Sequence, residues 1–527
     1  MKVVDAKSLK QWLHDGKEIA LLDVREAGQF GERHLFFAIP SPYSRLEADI
    51  ERLVPRQSTR IVLVDDAPCT IARLAYQQLV GMGYIDVHIL DHGMKGWQDA
   101  GLEIFAGVNV PSKTFGELAE HAFHTPRITA KELNAKIQNQ DDLVVLDGRP
   151  FAEYQKMNIP GAQCCPNGEL ALRIDDIVSD PKTTIVINCA GRTRSIIGAQ
   201  TLINLGIPNP VYALENGTQG WYLEDFKLEH GSSRKYPTLS AGSDLGQRQN
   251  RARQLAQKHR INTVDFHTVQ AWRNDPSRTT YLCDVRTAEE RVQQPIPAAQ
   301  HTPGGQLIQA TDQYVATRGA RLVLIDTENV RAPAVATWMS MLGWEVAVFD
   351  IKDIDKLSNL QAAGKPTYLP AEVNIVKAKD LQSHMDTGAH LVDLRPSMQY
   401  RSKHIRGATW SIRPSLPAHI QSLAQRPQHI VLLAADQAIA ALVAKDLLAA
   451  GFTNLSICLD DPNAWIEAGL MAESTPDTPP NEACIDYLFF VHDRHDGNKA
   501  AARQYLAWET NLLSQIDELE KNTFRLS

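Results

Sequence analysis

At 527 residues the chain is too long for one ordinary hydrophobic core, and about three to five domains are implied. Its formal net charge of -8, with 43% hydrophobic and 22% charged residues, is that of ordinary globular protein and argues against nucleic acid or an anionic membrane surface as partner. No run of roughly 18 apolar residues occurs, so no transmembrane helix is expected. The opening Met1-Lys-Val-Val-Asp-Ala-Lys lacks the apolar segment of a signal peptide, which sets the expectation of a cytoplasmic protein.

One pattern recurs along the chain. A short apolar run ends in Leu22-Asp-Val-Arg25, Leu146-Asp-Gly-Arg149, Cys283-Asp-Val-Arg286 and Val392-Asp-Leu-Arg395, and each run reads as a buried strand. A second apolar run follows at Ile61 to Val64, Ile185 to Asn188, Arg321 to Ile325 and Ile430 to Leu433. After it come a short loop, a helical stretch closed by Gly83, Gly206, Gly343 or Gly451, and a third apolar run. A closing motif, Gly93-Met-Lys-Gly-Trp97, Gly217-Thr-Gln-Gly-Trp221 or Asp461-Pro-Asn-Ala-Trp465, ends three of the copies.

Regular strand–helix alternation predicts an α/β chain of four tandem three-layer domains, each with a parallel central sheet between helices. Their expected bounds are 1–108, 125–232, 260–360 and 370–473. Residues 474–527 form a helical tail in which Tyr505, Trp508, Leu512, Ile516 and Leu519 recur at helical spacing. That face is expected to pack on the chain's own domains, with a homodimer contact through the same helix as the second reading.

Aligning the copies on their closing glycines, without gaps, places Asp66, Cys189, Asp326 and Ala434 at one position. These lie 43, 42, 42 and 41 residues beyond Asp23, Asp147, Asp284 and Asp393. In open parallel sheets ligands bind beyond the strand ends, where loops enter helices. Cys189-Ala-Gly-Arg-Thr-Arg-Ser195 stands at such a place. Backbone N–H groups there lack intrahelical acceptors, Gly191 permits a tight curl, and Arg192 and Arg194 add positive charge. Together these favour a thiolate over a thiol, and the arginines would recognise an oxyanion. Cys189 is therefore the expected nucleophile, and Ala190, Gly191, Arg192, Thr193, Arg194 and Ser195 its expected cradle.

Leu146-Asp-Gly-Arg149, Ile159-Pro-Gly-Ala162, the Cys189–Ser195 loop and Glu215-Asn-Gly-Thr-Gln-Gly-Trp221 occur in the order of a rhodanese domain, which the second copy resembles. The other copies match more weakly, and the whole is similar to bacterial tandem-rhodanese sulfurtransferases. The resemblance implies a ping-pong reaction without cofactor or metal. A thiosulfate-like donor loads Cys189 as a persulfide, and cyanide or a thiol removes the sulfur. It assigns Asp147 and Arg149 a supporting role, joining the loop to the sheet. Asp66, Asp326 and Ala434 imply three inactive copies, since none of these side chains carries a persulfide. Asn158 stands where many relatives have histidine.

Two other classes compete. Rhodanese-like phosphatases or arsenate reductases use Cys-x5-Arg, whereas Arg194 completes Cys-x4-Arg and Ser195 stands where their arginine would be. A non-enzymatic scaffold or sulfur carrier is the third reading. Of the seven cysteines, Cys69, Cys164 and Cys165 are candidates for sulfur relay, while Cys283 and Cys458 read as core. His492, Asp493, His495 and Asp496 are dense in metal-ligand types, but a surface or capping turn is the expected reading.

Overall fold

The computed structural model describes residues 1–239, 244–357, 360, 368–423, 426–489 and 498–526. The cluster of His492, Asp493, His495 and Asp496 lies outside them. Each of the four repeats builds a parallel sheet with one strand order, numbered within the repeat as 1-5-4-2-3. In the second repeat those strands are Arg127–Ile128, Val211–Leu214, Thr184–Asn188, Leu143–Asp147 and Gln163–Cys164. The middle strands are apolar runs buried on both faces, as a sheet covered by helices on each side requires. No helix among the described residues is long and apolar enough to cross a membrane.

The recurring Asp-x-Arg is a buried internal ion pair at the end of the second strand. Arg149 Nε donates to Asp147 Oδ1 at 2.8 Å, and Nη2 donates to Oδ2 and to the Met157 carbonyl, both at 2.6 Å. Arg25, Arg286 and Arg395 repeat the arrangement with Asp23, Asp284 and Asp393. Each arginine thus ties its strand end to the loop eight residues beyond it, a charge-assisted fork that a lysine would not reproduce.

Compactness does not follow chain order. Residues 1–10, 20–107 and 364–489, the first and fourth repeats, form one unit; residues 11–19, 108–363 and 490–527, the second and third repeats with the tail, form the other. In the first unit Arg413 is buried between Glu47, at 2.6 and 2.9 Å, and Asp446, at 2.7 and 3.1 Å, and lies 4.2 Å over the Tyr43 ring. In the second unit Arg331 joins the third repeat to Glu169 of the second at 3.0 Å. Trp338 Nε1 donates to Thr201 Oγ1 at 2.8 Å across the same boundary. There the helices Asn167–Ile177 and Gly304–Gln309 cross at Gly168, Gly304 and Gly305. A Cβ on Gly168 would lie 2.6 Å from the Gly305 backbone nitrogen.

The tail forms the helix Lys499–Gln515, which ends before Ile516, and a short helix Glu518–Lys521. Tyr505 and Leu512 are buried within the chain, whereas Leu519 is exposed. Trp508 and Tyr505 meet as a tilted ring pair 5.2 Å apart.

The glycine crossing is testable. Gly168→Ala should lower stability by about 1–3 kcal/mol, because backbone rather than a flexible side chain stands in the way. Gly81→Ala, in the helix Thr70–Gly81 with nothing within 4 Å of the added carbon, should raise it by up to about 1 kcal/mol. Thermal unfolding midpoints of both variants check the pair of signs.

Candidate active site

The strand Thr184–Asn188 delivers Cys189 to a turn, and the helix Thr193–Asn204 begins four residues later. Asn188 is held from below: its Nδ2 donates to Asp147 Oδ2 at 3.0 Å, and its carbonyl accepts from Gly148 N at 2.8 Å. The closing motif clamps the loop from another side. Thr218 N donates to the Cys189 carbonyl at 2.8 Å and Gln219 N to the Ala190 carbonyl at 3.1 Å. Gly217 has φ +54°, and a Cβ there would stand 2.3 Å from the Cys189 carbonyl oxygen, so only glycine fits. This is the physical content of the glycine that opens the closing motif.

The same hydrogen bonds define the equivalent positions in the other repeats, and they correct the first one. Met94 N donates to the Asp65 carbonyl, and Val24 N to that of Val64, as Thr218 N and Gly148 N donate to Cys189 and Asn188. Asp65, not Asp66, therefore stands at the Cys189 position. The loop before the helix Thr70–Gly81 is one residue longer than that before Thr193–Asn204, so a gapless alignment from the glycine side slips by one. Asp66 instead pairs with Arg25 at 3.3 Å and Arg33 at 2.6 Å. In the third and fourth repeats the bonds of Val285 N to Ile325 O and Leu394 N to Leu433 O put Asp326 and Ala434 at that position.

The two aspartates reveal what the loop does. One oxygen of Asp65 accepts from Ile71 N at 2.8 Å and Ala72 N at 3.0 Å, and the other from Asp66 N at 2.7 Å. Asp326 accepts from the backbone nitrogens of Glu328, Val330, Arg331 and Ala332 at 2.7–3.2 Å and from Arg331 Nε at 3.2 Å. Burial pushes the Asp65 carboxyl up from its ordinary range. Burial opposes ionisation of Asp326 too, but Arg331 and the ring of N–H donors outweigh it and hold that carboxyl well below the usual range. In both repeats a side-chain carboxylate occupies the anion position at a helix start.

In the second repeat the loop encloses a cavity of about 350 Å³ lined by Cys189 through Arg194. Sequence reasoning missed much of the rest of the wall. Lys113 comes from the helix Val110–Phe123, Gln306, Gln309 and Gln313 from the third repeat, and Tyr505 and Glu509 from the tail helix. Helix Val110–Phe123 can approach because of Gly116, whose added Cβ would lie 2.7 Å from Thr193 Cγ2. Lys113 Nζ donates to the Tyr505 hydroxyl and lies 4.5 Å over both the Tyr505 and Trp508 rings. Thr193 Oγ1 donates to Glu509 Oε1 at 2.9 Å.

Both loop arginines are engaged by carboxylates. Arg192 forms a fork with Glu117 at 2.7 and 2.9 Å and also binds Glu120. Arg194 forms a fork with Glu153 at 2.8 and 2.9 Å. The expectation that they lie ready for an oxyanion gives way to a loop whose positive charge is largely balanced. Burial pushes the Glu117 carboxyl up to about 7, against the pull of Arg192. Ser195 is fully buried, and its hydroxyl has no hydrogen-bond partner among the described residues.

The relay candidates sit in surroundings that oppose ionisation. Burial pushes the Cys164 thiol up to about 12 and Cys165 well above its ordinary value. Burial, and then the Asp65 carboxylate, also raise Cys69, which starts the helix Thr70–Gly81 with φ +63°. Cys283 and Cys458 are core residues, as their sequence setting predicts.

The rhodanese-like domain family model matches residues 5–100, 129–224 and 377–468. A crystal structure of thiosulfate sulfurtransferase from Pseudomonas aeruginosa is 38% identical, with 99% of each chain covered and a TM-score of 0.92. The putative sulfur carrier protein YrkF of Bacillus subtilis is 27% identical over 103 residues, 20% of this chain. The chain spans about half (54%) of the length of that curated relative.

The balanced loop makes a stability prediction. Arg192→Ala leaves Glu117 buried without its counter-cation and should cost about 3–5 kcal/mol, whereas Arg194→Ala, whose partner Glu153 is 41% exposed, should cost about 1 kcal/mol or less. Because the folded-state pKa of Glu117 is raised, its ionisation works against the fold, and stability from this group falls as pH rises from the unfolded value, about 4.5, through 7. The Arg192→Ala penalty should therefore be largest near pH 8 and shrink toward pH 5, as read from unfolding midpoints across that range.

Proposed function

The chain belongs to the rhodanese-like domain family, and from that premise we propose that it is a sulfurtransferase whose one reactive centre is Cys189. Its thiolate attacks the outer sulfur of thiosulfate or a similar sulfane donor. The donor's S–S bond breaks, sulfite leaves with the electron pair, and Cys189 becomes a persulfide. An acceptor, cyanide or a thiol, then takes the outer sulfur and returns the Cys189 thiolate.

One observation carries this reading. At the Cys189 position of the first and third repeats, Asp65 and Asp326 place a carboxylate into a ring of helix-start N–H donors. The loop is thus an anion cradle in the repeats where its occupant is visible, and the second repeat puts a thiol in that place and opens it to a cavity. A thiolate or persulfide there would be stabilised by the same donors. The self-filled cradles also account for repeats without transfer chemistry: their anion position is already occupied by a side chain that cannot accept sulfur. Ala434 leaves the fourth repeat without either group.

The four-residue spacing from Cys189 to the helix keeps the loop shorter than the Cys-x5-Arg ring of phosphatases, which supports sulfur over phosphate. Lys156, which lines the cavity, is a cation placed to meet the anionic end of a donor. Asp147 and Arg149 act beneath the loop by fixing Asn188.

Thiosulfate treatment should add one sulfur atom to the wild-type protein, seen as intact mass, and none to Cys189→Ser. Peptide mapping that finds the added sulfur on Cys69 or Cys165 would overturn the single-site reading.

A further inference from the structure

We propose that Glu509, supplied by the tail helix, receives the acceptor: its carboxylate takes the proton of a thiol that discharges the Cys189 persulfide. The proposal rests on the sulfurtransferase reading and adds to it the acceptor class and a residue far from the loop in sequence.

Glu509 is 1% exposed and lines the Cys189 cavity. Its two oxygens differ. Oε1 accepts the Thr193 hydroxyl at 2.9 Å, which orients the carboxylate from the first helical residue of the loop. Oε2 is buried with no hydrogen-bond partner among the described residues. It also faces Gly191: a Cβ built there would stand 2.8 Å from Oε2. A buried carboxylate oxygen without a donor is costly, commonly by about 1–3 kcal/mol, and such an oxygen on a residue that lines a cavity is complementary to a ligand that brings a donor.

The surrounding charge narrows the ligand. Arg192 is spent on Glu117 and Glu120, Arg194 on Glu153, and Lys113 donates to Tyr505. Thiosulfate carries no hydrogen to give Oε2, whereas a thiol S–H does. The step then balances. Oε2 takes the proton of R–SH; the R–S⁻ so formed attacks the outer sulfur of Cys189–S–SH; a new S–S bond forms. The old S–S bond breaks with its electron pair on Cys189 Sγ, giving R–S–SH and the thiolate. Glu509 returns its proton to solvent. Since free thiols have pKa near 8.5, a base at this place matters most at neutral pH, where contributions of about 10²–10⁴-fold are usual for general bases.

The test separates loading from discharge. Wild type and Glu509→Gln, which keeps the shape and the Thr193 contact, are loaded with thiosulfate and freed of excess. They are then discharged against 2-mercaptoethanol or against 2-nitro-5-thiobenzoate, a thiol already ionised at neutral pH, with intact mass as the readout. The ratio of 2-mercaptoethanol to 2-nitro-5-thiobenzoate discharge rates should fall at least tenfold in Glu509→Gln. Its 2-mercaptoethanol rate should climb close to tenfold per pH unit between about pH 6 and 8, following free thiolate, while the wild-type slope is shallower. The other groups facing the cavity or packed behind it (Lys113, Glu117 and Glu120 on the helix Val110–Phe123, Arg149, Glu153 and Lys156, Cys189, Arg192 and Arg194 on the loop, Asp312 of the third repeat and Tyr505) are the same in both proteins, so the difference between the profiles reports Glu509. An unchanged ratio, parallel pH profiles, or a Glu509→Gln protein that fails to load overturns the assignment. A wild type that fails to load sinks the sulfurtransferase reading instead.

Discussion

Backbone N–H groups at the start of an α-helix need acceptors, and one side-chain position in each repeat decides what meets them. The fourth strand of every sheet ends one residue before that position, and the helix starts within a few residues after it. Asp65 and Asp326 answer the demand internally, with carboxylates that close the helix start and bury themselves in doing so. Cys189 leaves it to a group that a thiol can become. On the proposed reading, structural stability and transfer chemistry are alternative uses of one set of donors, and a single side chain selects between them.

Charge compensation is the second theme. Arg192, Arg331 and Arg413 are each buried and each met by at least two carboxylates. Such clusters contribute orientation more dependably than net stability, because desolvation offsets much of the Coulomb gain. Arg331 fixes the third repeat against Glu169 of the second, and Arg413 fixes the fourth against Glu47 of the first. Around Cys189 the same device has a chemical consequence. Glu117, Glu120 and Glu153 quench a loop that is basic on paper, so the charge the cavity presents depends on its other lining residues, Lys156 and Glu509 among them.

The cavity itself is composite. The second repeat supplies the loop, the third supplies amide side chains from the helix Gly304–Gln309 and the turn after it, and the tail helix supplies Tyr505 and Glu509. The third repeat and the tail helix are thus walls of the Cys189 cavity.

The amino-acid sequence by itself determined the repeat, the parallel sheets and the Asp-x-Arg pairs and singled out Cys189 as the candidate, because each is a local pattern: apolar runs at fixed spacing, a fork two residues long, a polar loop between strand and helix. It also carried the glycine of the closing motif, although its reason, the approach to the Cys189 carbonyl, is spatial. One residue of loop length was enough to turn Asp65 into Asp66, since a gapless alignment has no way to see which carbonyl Met94 N reaches. Tertiary structure alone decided that the first repeat joins the fourth and the second the third, and that Glu117, Glu120, Glu153 and Glu509 face the loop. Those glutamates lie on ordinary amphipathic helices, up to about three hundred residues away in the chain, where their sequence signature is that of a solvated face. What distinguishes them is burial beside a cation or against Gly191, and burial is a property of the packed chain, not of any window within it.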